Sequence, residues 1–338
     1  MTAALWQAYR LRWRRRGLLW RALRKRHELA VVADRMGRIA PGAILGLCCL
    51  RNEAARLPHW LAHHRRLGVD HFLIVDNDST DGSRELLAGE PDVSLWRTAQ
   101  SYKAARFGVD WLTWLQMRHA HGHWCLTADA DELLVYPYCE TRDPHALTGW
   151  LEDEGRCAFP AMMLDLYPQG PLSDHAAGPG QDPVEVLGWF DAGNYTMVEN
   201  PGLWNLWLQG GARARAFFAG DPRRAPTLSK TPLVRWNRRY VYVNSTHSLL
   251  PRRLNRVYDQ TGGEAPSGVL LHTKFLPGIV ERAREEQARG EHFHDGAKYQ
   301  DYYEQVIAAP DLWHRHARRY TGWRQLEALG LMSRGGWV

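Results

Sequence analysis

Short apolar runs alternate with segments of helical spacing in the part of the chain that follows Pro41-Gly42. The apolar runs predict four strands, at residues 44–50, 71–76, 93–96 and 124–127. Between them, apolar residues recur every three or four positions, which predicts one helix from Leu57 to a stop at Gly68 and another over residues 104–120. This alternation predicts an α/β fold with a mostly parallel central sheet flanked by helices.

Two regions of different character flank this pattern. Residues 1–40 begin with a basic amphipathic helix, and residues 277–338 are polar and helical with scattered aromatic side chains. We therefore predict an N-terminal arm over 1–40, a core over 41–276 and a helical C-terminal region over 277–338. Stretches rich in proline and glycine at 168–183 and 219–226 predict loops within the core.

Charge is distributed unevenly between these parts. The net charge is +6, yet residues 10–26 hold nine arginines or lysines and no acid, so the rest of the chain has 34 basic and 37 acidic residues. With Trp6, Trp13 and Trp20, the basic segment 1–26 favours contact with an anionic membrane surface, although a solvated helix or one docked on the core would have the same pattern. No zinc-finger, RNA-binding or helix-turn-helix pattern accompanies these charges, so nucleic-acid binding is not predicted.

The cellular location is predicted from apolar runs and cysteines. The sequence has no run of eighteen apolar residues and no uninterrupted apolar leader, which predicts a cytoplasmic protein that is at most peripheral on the inner face of the membrane. The five cysteines have no metal-type spacing, and we expect them to be buried, reduced thiols.

Polar clusters follow three of the predicted strands, at the place where ligands bind in open α/β sheets. They are Arg51-Asn52-Glu53, residues 76–82, and Asp129-Ala130-Asp131-Glu132. In the second cluster, Asp76 and Asp78 could accept hydrogen bonds from a nucleobase or a ribose hydroxyl, and the other residues are typical of a turn and helix cap.

The third cluster has the spacing of a metal site. Asp129 and Asp131 are one residue apart, so a turn at Ala130 would let both carboxylates approach one hard cation that bridges phosphates, Mg²⁺ or Mn²⁺. An acidic surface turn is the alternative for an isolated motif of this kind. The position directly after an apolar strand favours the metal site, because neighbouring acids repel one another without a compensating cation or base.

Together these motifs resemble glycosyltransferase family 2. They are Leu50-Arg51-Asn52-Glu53, Leu67-Gly68-Val69-Asp70-His71-Phe72, Val75-Asp76-Asn77-Asp78-Ser79-Thr80-Asp81-Gly82-Ser83 and Asp129-Ala130-Asp131-Glu132. More narrowly, the chain is similar to bacterial family-2-like proteins with Asn in place of the second acid after the second strand. The resemblance covers residues 44–136 and extends more weakly through segments 230–235 and 270–275. It implies a GT-A fold, a nucleoside-diphosphate sugar donor and a divalent cation as cofactor.

The resemblance also implies roles for single residues. The residues that would bind the nucleotide sugar are Arg51, Glu53, Asp76, Asp78, Arg106 and Asp129. Among them, Glu53 and Asp78 would contact the nucleoside, and Asp129 would touch the ribose or the metal. Asp131 would be the principal ligand of Mn²⁺ or Mg²⁺, which neutralises the leaving diphosphate. The family's later metal-binding histidine corresponds best to His272, with His247 as the competitor.

Two further assignments depend on position in the predicted elements. Arg106 follows Lys103 by three residues at a predicted helix start, where cations and free backbone N–H groups could face a diphosphate. An inverting enzyme needs a general base, and Asp165 or Asp191 would supply it. We favour Asp165, because a carboxylate that follows an apolar strand is both directed and partly desolvated.

The predicted function is therefore metal-dependent transfer of a hexosyl group, with inversion, to a hydroxyl of a glycan, lipid-linked or other acceptor, as in polysaccharide assembly. A nucleotidyltransferase would need a glycine-rich phosphate loop after the first strand, and Arg51-Asn52-Glu53-Ala54 offers none. A non-catalytic membrane-surface binding protein with a degenerate glycosyltransferase core is the remaining alternative.

Overall fold

The computed structural model describes residues 3–258, 265–289 and 296–337, so parts of the predicted arm, core and C-terminal region (1–2, 259–264, 290–295 and 338) lie outside the described residues. The strands are β1 (Ala30–Ala33), β2 (Leu45–Leu50), β3 (His71–Asp76), β4 (Val93–Arg97), β5 (Trp124–Thr127), β6 (Glu132–Val135), β7 (Ala158–Asp165), β8 (Trp189–Phe190), β9 (Tyr195–Asn200), β10 (Asn205–Gly210), β11 (Ser229–Arg235), β12 (Val241–Tyr242), β13 (Leu249–Leu250), β14 (Gly268–His272) and β15 (Arg318–Arg319). The helices are α1 (Ala3–Lys25), α2 (Leu57–Leu67), α3 (Ser83–Gly89), α4 (Val109–His119), α5 (Pro144–Asp153), α6 (Pro183–Val186), α7 (Gly211–Phe217), α8 (Ile279–Arg289), α9 (Gly296–Ile307) and α10 (Trp323–Ala328).

One central sheet of nine strands organises the molecule, in the order β1-β4-β3-β2-β5-β11-β7-β14-β6. Strands β4, β3, β2 and β5 run parallel, as do β14 and β7. The remaining neighbours pair antiparallel, because β1, β11 and β6 run in the direction opposite to the other six strands. The predicted α/β architecture with flanking helices is confirmed and is consistent with a Rossmann-like GT-A fold, but the sheet is mixed.

The parallel half of the sheet forms where the sequence predicts it. Every residue of β2 and β3 is buried, which explains their uninterrupted apolar sequences, since helices cover both faces of the sheet. Helix α2 ends as predicted at Gly68, whose φ of 107° lets its N–H bond to carbonyls of the last helical turn. Helix α4 is shorter than the predicted 104–120, because Arg106, Phe107 and Gly108 all have positive φ angles and the helix begins only at Val109.

Helix α1 lies against the core. Leu11, Leu18 and Leu19 pack on an apolar cluster made by Leu203, Val241, Val243 and Leu250. The Arg21 guanidinium also donates to Asp110 of α4 at 2.5 Å. The docked helix, one of the alternatives that the sequence leaves open, is therefore observed for this face of α1. None of the helices in the described ranges combines the length and apolarity needed to cross a bilayer.

Candidate functional site

A cleft of about 320 Å³ opens where the parallel strands β2, β3 and β5 end. Residues that follow these strands line one side, and residues of α8 and α9 line the other. The volume is in the range of small-ligand sites. The predicted site residues that line the cleft are Arg51, Glu53, Asp129, Asp131 and His272. Those that do not line it are Asp76, Asp78, Arg106, Asp165 and Asp191.

Asp129, Asp131 and Glu132 form an acidic cluster at the turn between β5 and β6. One carboxylate oxygen from each lies within 4.8 Å of the others. The side chain of Asp129 is 55% exposed and that of Asp131 20% exposed, whereas that of Glu132 is buried. Oxygen donors at this spacing suit a hard divalent cation.

His272 joins this cluster from the neighbouring strand β14. Its Nε2 lies 3.2 Å from Asp131 Oδ2, and its Nδ1 lies 2.6 Å from Asp165 Oδ1. Sheet pairing produces this contact, since His272 stands opposite Glu132 of β6 and Asp165 of β7. Burial disfavours the charged imidazole, but the Asp131 carboxylate outweighs it and raises the pKa of His272. With Nδ1 fixed by Asp165, Nε2 is directed toward the acidic cluster.

Asp131 is held ready as an anionic ligand. Burial disfavours its charge, yet His272 and, more weakly, Arg56 lower the pKa of Asp131 well below its usual value. The backbone carbonyl of Asp131 accepts two hydrogen bonds from Thr273, one from the backbone N–H at 2.7 Å and one from the side-chain hydroxyl at 3.0 Å. The turn that carries Asp131 is thus tied to the end of β14.

Asp165 lies behind His272, and its side chain is buried. One oxygen bonds to His272, and the other accepts from Nε of the buried Arg213 at 2.8 Å. Burial alone would raise the pKa of Asp165, but these two neighbours lower it to about 2. The alternative base, Asp191, is bound by Arg215 at 2.8 Å and by His314 at 3.0 Å, so it belongs to a separate ion-pair cluster.

Lys230 places an ammonium group inside the acidic cluster. Its Nζ lies 3.0 Å from Asp129 Oδ2 and also contacts Glu132 Oε1, while its own side chain is buried. Lys230 arrives on β11, which pairs with β5 in the sheet. Burial disfavours its charge, but Asp129 and Glu132 outweigh this and raise the pKa of Lys230, so the ammonium stays charged.

His247, the competing histidine, also lines the cleft. Its Nδ1 lies 2.7 Å from the carbonyl of Ser229, next to Lys230. Burial and the Lys230 charge lower the pKa of His247 to about 4, so the ring is neutral at physiological pH. In contrast to His272, it makes no ion pair with the acidic cluster among the contacts of the described residues.

Glu53 lies on the other side of the cleft, between two arginines. Arg56 Nη1 donates to it at 3.1 Å, and Arg282 Nη1 donates to both of its oxygens at 2.9 and 3.0 Å. Arg282 belongs to α8, so the C-terminal region reaches directly into the predicted nucleotide site. Arg51 Nη1 donates to the carbonyls of Asn77 and Asp78. This contact ties the segment after β2 to the loop after β3.

The polar side chains that follow β3 mainly make hydrogen bonds and ion pairs within their own loop and with neighbouring segments. Asp76 is buried, accepts from the backbone N–H of Ser79 and pairs with Arg84 Nε at 3.2 Å. The Asn77 amide donates to the carbonyls of Thr98 and Gln100, which a carboxylate could not do. These two contacts favour an amide over a carboxylate at this position. Asp78 is half-buried with a φ of 60°.

Arg106 lies outside the cleft. Its φ of 52° and an ion pair of 2.7 Å to Asp110 turn its side chain toward α4. The guanidinium also donates to the carbonyls of Tyr242 and Val243, at 3.0 and 3.1 Å. The contact of Arg106 with a donor diphosphate stays a prediction from the resemblance.

Several cations line the cleft to which sequence reasoning assigned no role. They are Arg56, Arg213, Lys230, Lys274 and Arg282. Lys230 and Lys274 lie in segments 230–235 and 270–275, where the resemblance to family 2 is weaker. That resemblance is the one sequence feature that could have pointed to these two lysines. Arg213 lies in the short helix α7, and Arg282 lies in the C-terminal region. Neither residue belongs to a recognisable motif, so the sequence does not distinguish it from a solvent-exposed arginine.

Comparisons with known proteins give a limited match. No protein-family model matches the chain. A stretch of 100 residues is 30% identical to a glycosyltransferase family 92 protein of Oryza sativa subsp. japonica, covering 27% of this chain and 16% of that relative's length.

Solved structures are similar only at low TM-scores. The mannosyltransferase PcManGT from Pyrobaculum calidifontis, in complex with GDP-Man and Mn²⁺, is 16% identical over 90% of this chain and 80% of that chain, with a TM-score of 0.30. A putative glucose-1-phosphate thymidylyltransferase from Bacillus anthracis is 8% identical over 86% of this chain and 96% of that chain, with a TM-score of 0.28. At these TM-scores the two structures support no functional inference.

Proposed function

We propose that this protein is a metal-dependent glycosyltransferase that moves a hexosyl group, with inversion, from a nucleoside-diphosphate sugar to a hydroxyl acceptor. One observation carries the proposal: an acidic cluster with a histidine shares one cleft, at the ends of parallel strands, with several arginine and lysine side chains. Carboxylates can hold a divalent cation, and arginine and lysine side chains can hold phosphate oxygens.

The residues present fit a bound Mn²⁺ or Mg²⁺. Asp131 is ionised, His272 directs Nε2 toward it, and Asp129 is exposed to the cleft. We propose Asp131 as the principal ligand, with Asp129 and His272 beside it. When bound, the cation would neutralise the negative charge that develops on the leaving diphosphate.

The protein's own cations support the same step. Lys230 and Lys274 line the cleft on the side of the acidic cluster, and Arg282 lies beside Glu53. Fixed positive charges in a partly desolvated cleft stabilise a developing anion without rearrangement of solvent. We propose that Arg51 and Glu53 border the nucleoside end of the donor. Asp78, in the adjacent loop after β3, would lie at the same end.

The catalytic base stays a prediction. The contacts of Asp165 favour a positioning role, since both of its oxygens are occupied and it reaches the cleft only through His272. A carboxylate that fixes the far nitrogen of a ligating histidine sets the tautomer and orientation of the ring. We propose that role for Asp165, while Asp191 lies outside the cleft.

The acceptor and location are proposed from the sequence. A glycan or lipid-linked acceptor at the inner face of the cytoplasmic membrane fits the basic segment 1–26, which would keep the protein peripheral to that membrane.

Titration calorimetry tests the donor site. The protein is titrated with UDP and with GDP, each with and without Mn²⁺, and the series is repeated on Asp131→Ala and on Asp153→Ala, a control at the exposed end of α5. We expect cation-dependent binding of one nucleotide that is lost in Asp131→Ala and retained in the control. Absence of binding to either nucleotide would favour a degenerate, non-catalytic core.

A further inference from the structure

Helix α1 has two opposite faces. Leu11, Leu18 and Leu19 face the core, as described above. Trp6, Tyr9, Trp13 and Trp20 face outward, with 50%, 48%, 52% and 62% of their surface exposed. At about 100° per residue these four rings fall on one narrow stripe of the helix, opposite the docked face. A row of large exposed aromatic residues marks an interaction surface.

Arginines from three distant segments lie on and beside α1. Arg12 and Arg16 belong to α1, Arg239 to the segment before β12, and Arg253 to the turn after β13. Strands β12 and β13 carry Val241 and Leu250 of the cluster on which α1 docks, so packing brings the three segments together. Within the described ranges, none of the four arginines forms an ion pair with an acid.

Arg15, also on α1, is affected by the charges of these four arginines. Burial lowers the pKa of Arg15, and Arg12, Arg239, Arg16 and Arg253 lower it further. Direct contacts fix the outer segments: Arg252 donates to Gln7 of α1 at 3.0 Å, and Arg253 donates to the Tyr240 hydroxyl at 3.1 Å. The Arg252–Gln7 contact therefore ties the segment that carries Arg253 to α1, and the folded protein brings these positive charges together.

We infer that the aromatic stripe of α1 and the arginines Arg12, Arg16, Arg239 and Arg253 form one surface that docks on an anionic lipid bilayer. Tryptophan and tyrosine rings fit the boundary between headgroups and acyl chains, and arginines beside them contact lipid phosphates. The inference rests on the membrane location given in the proposed function, and it extends the membrane-binding surface beyond residues 1–26 to two segments of the core.

The aromatic stripe favours a bilayer over a nucleic acid as the occupant. Its rings lie along a convex helix surface, where they can enter a soft apolar layer together, whereas nucleic-acid sites track the backbone with a positively charged groove. Arg16 lies over the Trp13 ring at 5.0 Å, so charge and aromatic surface are presented side by side. Binding of nucleic acid is kept as an outcome of the test.

The test is co-sedimentation of the full chain with vesicles of neutral phosphatidylcholine or of phosphatidylcholine mixed with phosphatidylglycerol, at low and high salt. The charge variant is Arg239→Glu/Arg253→Glu, which leaves segment 1–26 intact. The matched control is Arg318→Glu/Arg319→Glu on β15, with the same change of charge on exposed residues. A second variant, Trp13→Ser/Trp20→Ser, removes the apolar part of the surface.

We expect the charge variant to bind anionic vesicles at least about tenfold more weakly than the control, with the difference shrinking at high salt. We expect the tryptophan variant to lose binding at both salt concentrations. The inference is overturned if the charge variant and control bind alike, or if duplex RNA binds more tightly than the vesicles. Calorimetry with UDP and GDP on the same samples separates the two proposals, because nucleotide binding without vesicle binding defeats only this one.

Discussion

Asp165 and His272 form a buried pair, with His272 Nδ1 lying 2.6 Å from Asp165 Oδ1. The other ring nitrogen faces Asp131 at 3.2 Å. The pair therefore connects the carboxyl end of β7 to the acidic cluster through one imidazole ring. A residue expected to act as a base from its sequence position thus lies behind a proposed metal ligand.

Asp165→Asn should weaken Mn²⁺ binding by about 10- to 100-fold, because the ring of His272 loses the partner that fixes its tautomer and orientation. The measurement is calorimetric Mn²⁺ titration in the presence of nucleotide, alongside transfer rates at saturating Mn²⁺. Asp191→Asn is the control, since Asp191 lies outside the cleft. A general base would give a different result: unchanged Mn²⁺ affinity and a transfer rate that excess Mn²⁺ does not restore.

Lys230→Met should lower the free energy of unfolding by about 3–5 kcal/mol, because the buried Glu132 carboxylate loses its cation. Chemical denaturation without added metal measures this change. The double variant Lys230→Met/Glu132→Gln should recover part of the loss, since it removes the stranded charge. Added Mn²⁺ should also stabilise the single variant if the cation replaces the ammonium group. Equal stability of the single variant and the wild-type protein would contradict the role of Lys230 as internal counter-charge.

Arg282→Ala should reduce nucleotide affinity by about tenfold, because Glu53 loses two charge-assisted hydrogen bonds that hold its carboxylate at the cleft. Arg284→Ala provides a control on the same helix, where the side chain is exposed. Calorimetry with the preferred nucleotide and Mn²⁺ measures both variants. Tighter binding by Arg282→Ala would mean instead that Arg282 competes with the nucleotide for Glu53.

The parallel half of the fold could be predicted closely. Strand β3 spans His71–Asp76 as predicted, and α2 ends at Gly68, because apolar spacing and a helix-stopping glycine are local properties. The start of α4 was wrong by five residues, since the positive φ angles before Val109 are not encoded by apolar spacing. The polar residues at the strand ends could also be predicted from local sequence. Four of the five predicted residues that line the cleft follow β2 or β5.

Apolar spacing was enough to predict strands β2 to β5 and two of the helices between them, and position after a strand was enough to place Asp129 and Asp131, because both signals depend on neighbouring residues. Which side chains share the site depends on how distant strands and helices pack. Lys230 reaches Asp129 because β11 enters the sheet beside β5, and Arg282 reaches Glu53 because α8 folds over the cleft. Such contacts join residues about one hundred or more positions apart, where local spacing carries no information and sheet order and packing select the partners.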